Sequence, residues 1–108
     1  MSQARPFDIL VVGELNVDII ITGEDVVPRF GQAEQLVDDL SVNAGSSGAI
    51  FASAAAKLGL RVLYASIVGD DPFGYFMVQA LRKSGVDTSL VRVDPAVKTG
   101  ATVMLSPV

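Results

Sequence analysis

The feature that most constrains the fold is a regular alternation of apolar, strand-like runs with helical segments. Residues 7–13 and 61–69 are both rich in β-branched and other apolar residues, and each run ends in glycine. Such runs are typical of strands inside parallel sheets. An alanine-rich segment, residues 49–58, lies between them, and apolar residues at helical spacing follow the second run. Strands joined through helices form sheets with right-handed crossovers, so the alternation predicts an α/β fold.

Local signals fix where the two helices begin and end. Gly59 follows the alanine-rich helix at the position that glycine favours after a helix end. Asp71-Pro72 is a strong helix start, with an N-cap aspartate and proline at the first helical position. The alanine-rich helix is apolar almost all round, so we expect it to be buried. We also expect the first strand to be buried on both faces. Two short strands should follow, at residues 90–93 and 102–105.

The segment between the first strand and the first helix is unusually long for an α/β unit. Residues 19–22 have strand character, residues 23–32 contain two glycines and a proline and should be irregular, and residues 34–42 have the mixed polarity of an exposed strand. The pattern indicates strands outside the main sheet. We therefore expect residues 19–42 to form a flap or lid, which we call the lid segment.

Composition excludes several classes of function. The chain has 108 residues and a net charge of −4, with no basic stripe, which disfavours nucleic-acid binding. It contains neither cysteine nor histidine, so disulfides, zinc sites with these ligands and serine–histidine catalysis are excluded. Half of the residues are hydrophobic and only 19% are charged, which is apolar for a small free-standing domain. We expect part of this apolar surface to be covered by a partner or by further sequence.

No segment of the sequence has the pattern of a membrane span or a secretion signal. The longest uncharged stretch, residues 40–56, is too short and contains an asparagine and several serines. Acidic residues interrupt the apolar run near the N-terminus. The expectation is a soluble cytoplasmic protein.

Two polar clusters follow predicted strands, where open α/β sheets bind ligands. Asn16 and Asp18 lie two residues apart, so in an extended backbone both side chains point to one face and could bind a polyol. Ordinary turn chemistry is the alternative. Gly45-Ser46-Ser47-Gly48 precedes a helix, where free N–H groups could bind an anion or a hydroxyl. A capped, tightly packed helix start explains that cluster equally well. The cluster matches neither of two known phosphate-binding patterns, the Walker A loop and G-x-G-x-x-G.

A third cluster, residues 69–74, contains the adjacent aspartates Asp70 and Asp71. Paired aspartates suggest a metal site, but capping of the following helix already accounts for one of them. We therefore favour the structural interpretation and assign no metal ligand. No residue in the chain is identified as catalytic.

Taken together and in this order, the motifs resemble the opening part of the ribokinase-like (PfkB) carbohydrate kinases. The resemblance runs from residue 8 over almost the whole chain. It rests on these segments: Val11–Asp18, Gly45–Gly48, the spacing from Ala52 to Gly59, Gly69–Gly74 and Thr99–Thr102. It implies a mostly parallel sheet flanked by helices, with a small β-lid that in this family closes over the sugar and often serves for dimerisation.

The resemblance also implies roles for residues. Asn16 and Asp18 would hydrogen-bond sugar hydroxyls, the backbone around Gly45, Ser46 and Ser47 would line the same pocket, and Thr102 and Met104 would form its wall. The expected activity of the full-length protein is transfer of the γ-phosphoryl group of Mg-ATP to a sugar, with ATP and Mg²⁺ as cofactors.

Three departures from the family pattern qualify this expectation. Ser46 stands where the family usually has a second glycine, and Ile50 stands where it usually has an asparagine. Loss of that amide makes a nucleoside acceptor an alternative to a sugar. The family's glycine-rich C-terminal motif with its catalytic aspartate, and its nucleotide-binding region, do not occur in residues 1–108. We therefore expect an N-terminal, acceptor-binding part of a kinase domain, with a non-catalytic ligand-binding or dimerisation module as the remaining alternative.

Overall fold

The computed structural model describes residues 6–107, in which strands and helices follow one another as an α/β chain. In chain order the elements are β1 (Ile9–Val12), β2 (Asn16–Gly23), β3 (Asp39–Ala44), α1 (Ser47–Lys57), β4 (Val62–Gly69), α2 (Pro72–Lys83), β5 (Asp87–Asp94) and β6 (Gly100–Pro107). The predicted α/β class is confirmed.

The strands form two sheets of three. The first sheet is parallel, in the order β1-β4-β5. Helix α2 connects β4 to β5, and the connection from β1 to β4 runs through β2, β3 and α1. In the second sheet, β2 is central: it pairs antiparallel with β3 and parallel with β6. Because β1 and β2 are separated by only three residues, the end of the first sheet lies next to the start of the second.

The helix boundaries agree with the local sequence signals. Gly59 has a φ of 94°, a left-handed conformation that glycine adopts without strain. The Asp71 side chain accepts a hydrogen bond from the Gly74 N–H at 2.7 Å, and Pro72 is the first residue of α2. The core lies between the helices and one face of the first sheet, and it reaches β2 through Val17, which is fully buried.

Two expectations about burial are wrong for the described residues. In β1, Leu10 and Val12 are 58% and 76% exposed, because α1 and α2 both pack against the opposite face of the sheet. In α1, Ile50 and Phe51 are 60% and 53% exposed, while Ala49, Ala52 and Ala55 face the core. The apolar excess of the composition therefore lies on an open sheet face and on an open helix face.

The lid segment contributes most of β2 and β3, whose pairing runs from Val17 opposite Ala44 to Thr22 opposite Asp39. Between the two strands, residues 24–38 form a turn followed by irregular chain, in agreement with the expectation from Pro28 and Gly31. Gly23, which was expected to be irregular, is instead the last residue of β2. The predicted strand at residues 34–42 begins later, at Asp39, and extends to Ala44. The strands predicted at residues 90–93 and 102–105 are both longer than expected, because each pairs along its length with a central strand.

Candidate functional site

One face of β2 carries the polar side chains singled out in the sequence. Val17 points into the core, so the alternation of the strand turns Asn16 and Asp18 to the opposite face. Across the parallel pairing with β6, Asn16 lies opposite Gly100 and Asp18 opposite Thr102. The structure therefore brings together side chains that are more than 80 positions apart in the sequence.

The same face continues along both neighbouring strands. On β6, Met104 is two residues beyond Thr102, lies opposite Ile20 and is 42% exposed. On β3, Asn43 lies opposite Asp18, and its amide donates to the Ser41 hydroxyl at 2.9 Å. We call the face formed by Asn16, Asp18, Asn43, Thr102 and Met104 the polar wall.

Two glycines make the close packing of this wall possible. A Cβ atom placed on Gly45 would lie 2.6 Å from Asp18 Oδ1, and one placed on Gly100 would lie 2.5 Å from Asn16 Oδ1. Neither distance is compatible with a side chain at these positions unless the polar groups move. Gly45 was expected to line the site, whereas Gly100 was not recognised as a site residue. The contact between Gly100 and Asn16 depends on the register of β2 with β6, which the sequence alone does not reveal.

Among the residues that the structure describes, Ser46 is the one non-glycine residue with a positive φ, which is 75°. It stands at a position where the family that the sequence resembles usually has glycine. A conformation of this kind costs a non-glycine residue about 1–3 kcal/mol. The Ser46 hydroxyl donates to the Glu14 carbonyl oxygen at 2.7 Å, and the Ala49 N–H donates back to it at 3.4 Å as an N-cap. The side chain thus gains two partners that a glycine would lack.

Glu14 is a contributor that the sequence argument missed. Its carboxylate accepts a hydrogen bond from Asn16 Nδ2 at 3.0 Å, which fixes the orientation of that amide. Its carbonyl oxygen accepts the hydroxyl of Tyr64 at 2.8 Å, in addition to that of Ser46. No local pattern marks these contacts, because Tyr64 lies 50 positions away in the sequence.

Two cavities meet at Glu14 and Asn16. The smaller one, about 350 Å³, is bounded by the β1–β2 connection and by Ser46, Ser47 and Gly48 at the start of α1. The larger one, about 740 Å³, extends over the open face of the first sheet towards Arg92 and Lys98. Acidic and amide groups therefore stand at the junction of the cavities, and two cationic side chains stand at the far side of the larger one.

The structure places Ile50 away from this junction. It lies in the first turn of α1 beside a separate cavity of about 390 Å³, which Ala44 and Ser53 also line. The residue that departs from the family pattern is therefore an exposed apolar side chain on the flank of the helix that begins at the site.

Asp71 has a structural role, as expected. Besides capping α2, it accepts the Thr99 N–H at 2.9 Å, and the Thr99 hydroxyl accepts the Gly69 N–H at the same distance. The Thr99 and Gly74 N–H groups that donate to the Asp71 carboxylate hold its pKa below the usual range. Within residues 6–107, no three acidic side chains come together as ligands for a metal ion.

Comparison with known proteins identifies the family of the chain. Residues 7–106 match the family model described as pfkB family carbohydrate kinase. A deoxyribokinase from Salmonella typhi is 34% identical over 93 residues, which cover 86% of this chain and 30% of that protein. A 2-dehydro-3-deoxygluconokinase from Thermoproteus tenax is 48% identical over 54 residues, which cover 50% of this chain and 17% of that protein.

Among solved structures, the chain is similar to the Arabidopsis thaliana ribokinase complexed with ribose and ATP. The TM-score is 0.83 at 29% identity, and the match covers 92% of this chain and 32% of that one. The fold is therefore that of the ribokinase-like proteins. The chain belongs to the pfkB family of carbohydrate kinases. It spans about a third or less of the length of the relatives named here. Separately, the helices in the described part of the chain are not long and apolar enough to cross a membrane.

Proposed function

We propose that this chain is the acceptor-binding, N-terminal part of an ATP-dependent sugar kinase that acts in the cytoplasm. The observation that carries the proposal is the polar wall, in which Asn16, Asp18 and Thr102 share one face of a three-stranded sheet. Of these three side chains, Asn16 also lines the two cavities. An amide, a carboxylate and a hydroxyl together offer the donors and acceptors that several adjacent sugar hydroxyls require.

The residues of this chain would bind and orient the acceptor. Asp18 accepts hydrogen bonds from sugar hydroxyls, and Asn16, whose amide is held by Glu14, can donate or accept. Gly45 adds no side chain and so leaves the Asp18 carboxylate in place beside the start of α1. Holding the acceptor hydroxyl in one geometry lowers the barrier of phosphoryl transfer chiefly through positioning.

The γ-phosphoryl donor would be Mg-ATP. The chain spans about a third of the length of the relatives it matches, and in this proposal the remainder of the kinase supplies the nucleotide site, the metal ion and the general base. When bound, Mg²⁺ would neutralise charge on the transferring phosphoryl group. The lid segment, at the edge of the polar wall, would limit access of water to the acceptor.

The test is acceptor-dependent ADP release by the full-length protein. The panel should contain ribose, 2-deoxyribose and fructose, a sugar acid because Arg92 and Lys98 line the larger cavity, and two nucleosides. Asp18→Ala should raise the KM for the acceptor strongly, whereas Asp25→Asn should not, because Asp25 pairs with Arg29 in the exposed part of the lid segment. Turnover that no acceptor stimulates, together with normal ligand binding by Asp18→Ala, would contradict the proposal.

A nucleoside acceptor is the second candidate within the same activity. It is motivated by Ile50, which stands where the family usually has an amide and is 60% exposed. Because Ile50 lines the separate cavity beside α1, this candidate requires that cavity to receive the base of the nucleoside. Ile50→Asn should shift the ratio of kcat/KM from nucleosides towards sugars. An unchanged ratio would show that the residue does not select the acceptor.

A non-catalytic binding or dimerisation module is the third candidate. The face of the second sheet opposite the polar wall carries exposed apolar residues, among them Leu40, Val42, Val103 and Leu105. If this face joins two copies through the lid, sedimentation should show a dimer that Val103→Asp dissociates. A sedimentation coefficient unaffected by the substitution would contradict this arrangement.

A further inference from the structure

The carbonyl oxygen of Glu14 is held by two side-chain hydroxyls from distant parts of the chain. Ser46 donates to it from the start of α1 at 2.7 Å, and Tyr64 donates from β4 at 2.8 Å. Two residues further on, the Asn16 carbonyl oxygen accepts the Gly45 N–H at 2.8 Å. The backbone on either side of the Asn16 side chain is therefore fixed by three hydrogen bonds.

Tyr64 is a rigid support for this arrangement. It is fully buried, it pairs in register with Val11 of β1, and its ring packs within the core. A buried hydroxyl needs a partner, and here that partner is the Glu14 carbonyl oxygen. A Cβ atom on Gly48 would lie 2.5 Å from the Tyr64 hydroxyl, so the chain keeps a glycine where the phenol reaches the loop.

Ser46 acts from the other side. Its hydroxyl donates a hydrogen bond to the Glu14 carbonyl oxygen, although its backbone has a positive φ that glycine would adopt more easily. Ser46 Oγ also caps α1 by accepting the Ala49 N–H, so this one hydroxyl links the start of the helix to the β1–β2 connection. The backbone from Glu14 to Asn16 and the N–H of Gly45 are thus linked by hydrogen bonds to the buried Tyr64.

We infer that Tyr64 and Ser46 are positioning residues for the acceptor: through the Glu14 carbonyl oxygen, they hold the β1–β2 connection, and with it the Asn16 amide, in the geometry that binds the acceptor. This inference rests on the proposed function. Neither side chain needs to touch the acceptor for this effect. The positioning role is therefore different from the expected role of the backbone around Ser46, which is to line the pocket.

The experiment uses Tyr64→Phe and Ser46→Gly in the full-length protein, with Tyr75→Phe as control because Tyr75 is 70% exposed on α2. Tyr64→Phe removes only the hydroxyl. Ser46→Gly removes the hydroxyl and at the same time relieves the positive φ, so we expect little net change in thermal stability. A loss of function in this variant therefore reports positioning rather than unfolding.

We expect each of the two variants to raise the KM for the acceptor about threefold to tenfold, as the loss of one hydrogen bond predicts. The KM for ATP should stay within about twofold of the wild-type value. The double variant should show less than the product of the single effects, because both hydroxyls share one acceptor atom. Amide hydrogen exchange at Gly45 should become faster in both single variants and stay unchanged in the control.

An unchanged acceptor KM in both single variants, or unchanged exchange at Gly45, would overturn the inference. A wild-type protein that phosphorylates none of the acceptors contradicts the proposed function instead. In that case the exchange at Gly45, which needs no ligand, decides: faster exchange supports the three-bond attachment and unchanged exchange overturns it.

Discussion

Gly45→Ala is the substitution that tests the packing of the polar wall most sharply. The new methyl carbon would lie 2.6 Å from Oδ1 and 2.8 Å from Cγ of Asp18, and 3.0 Å from the carbonyl oxygen of Asn16. Since backbone and carboxylate both crowd the site, the chain must move. We expect a loss of about 1–3 kcal/mol in the free energy of unfolding, the usual cost of overpacking. Gly45 does not have a positive φ, so the cost is purely steric.

The assay is urea unfolding of the wild type, Gly45→Ala, Asp18→Ala and the double variant. With a urea slope of about 1–3 kcal/mol/M for a small protein, the expected loss corresponds to a midpoint shift on the order of 1 M. If the carboxylate is the main obstacle, adding Asp18→Ala should restore part of the stability lost in Gly45→Ala. A Gly45→Ala protein as stable as the wild type, or a double variant with purely additive losses, would refute this account of the wall.

Further predictions concern the ends of the site and the core. The N–H groups of Thr99 and Gly74 lower the pKa of Asp71 in the folded state, so its contribution to stability is present above the ordinary carboxyl range and is lost as the pH falls through the lowered value. Asp71→Asn should therefore be less stable than the wild type at pH 7. In urea unfolding below about pH 4, it should lose less additional stability than the wild type, because it has no carboxylate at this position to protonate. Gly100→Ala should displace the Asn16 amide and raise the acceptor KM in steady-state kinetics, and an unchanged KM would count against the β2–β6 register at the site. Met77→Ala, at a fully buried position, should cost about 2–5 kcal/mol by urea unfolding, and a loss below 1 kcal/mol would contradict the assigned core.

The elements that the sequence predicts well are those whose signals are local. The start of α2 needs only the adjacent pair Asp71-Pro72, and the end of α1 needs only Gly59. The face shared by Asn16 and Asp18 follows from the two-residue period of a strand. Each of these depends on residues within one turn or one strand.

The contributions of Tyr64, Glu14 and Gly100 depend on contacts between distant segments. The phenol of Tyr64 meets Glu14 only because β1 and β4 are paired in register, and Gly100 meets Asn16 only because β6 lies beside β2. An apolar run that contains tyrosine indicates a buried strand, but not which backbone carbonyl its hydroxyl reaches. For the same reason, the sequence could not show that β1 has an open face.

Equilibrium binding of the acceptor to the full-length protein tests the central claim most directly. Titration calorimetry with the acceptor that stimulates turnover should give a measurable Kd for the wild type and for Asp25→Asn. For Asp18→Ala we predict a Kd roughly tenfold to a hundredfold higher, as expected when hydrogen bonds to a charged group are lost. An Asp18→Ala protein that binds the acceptor as tightly as the wild type would show that the polar wall of β2 and β6 is not the acceptor site.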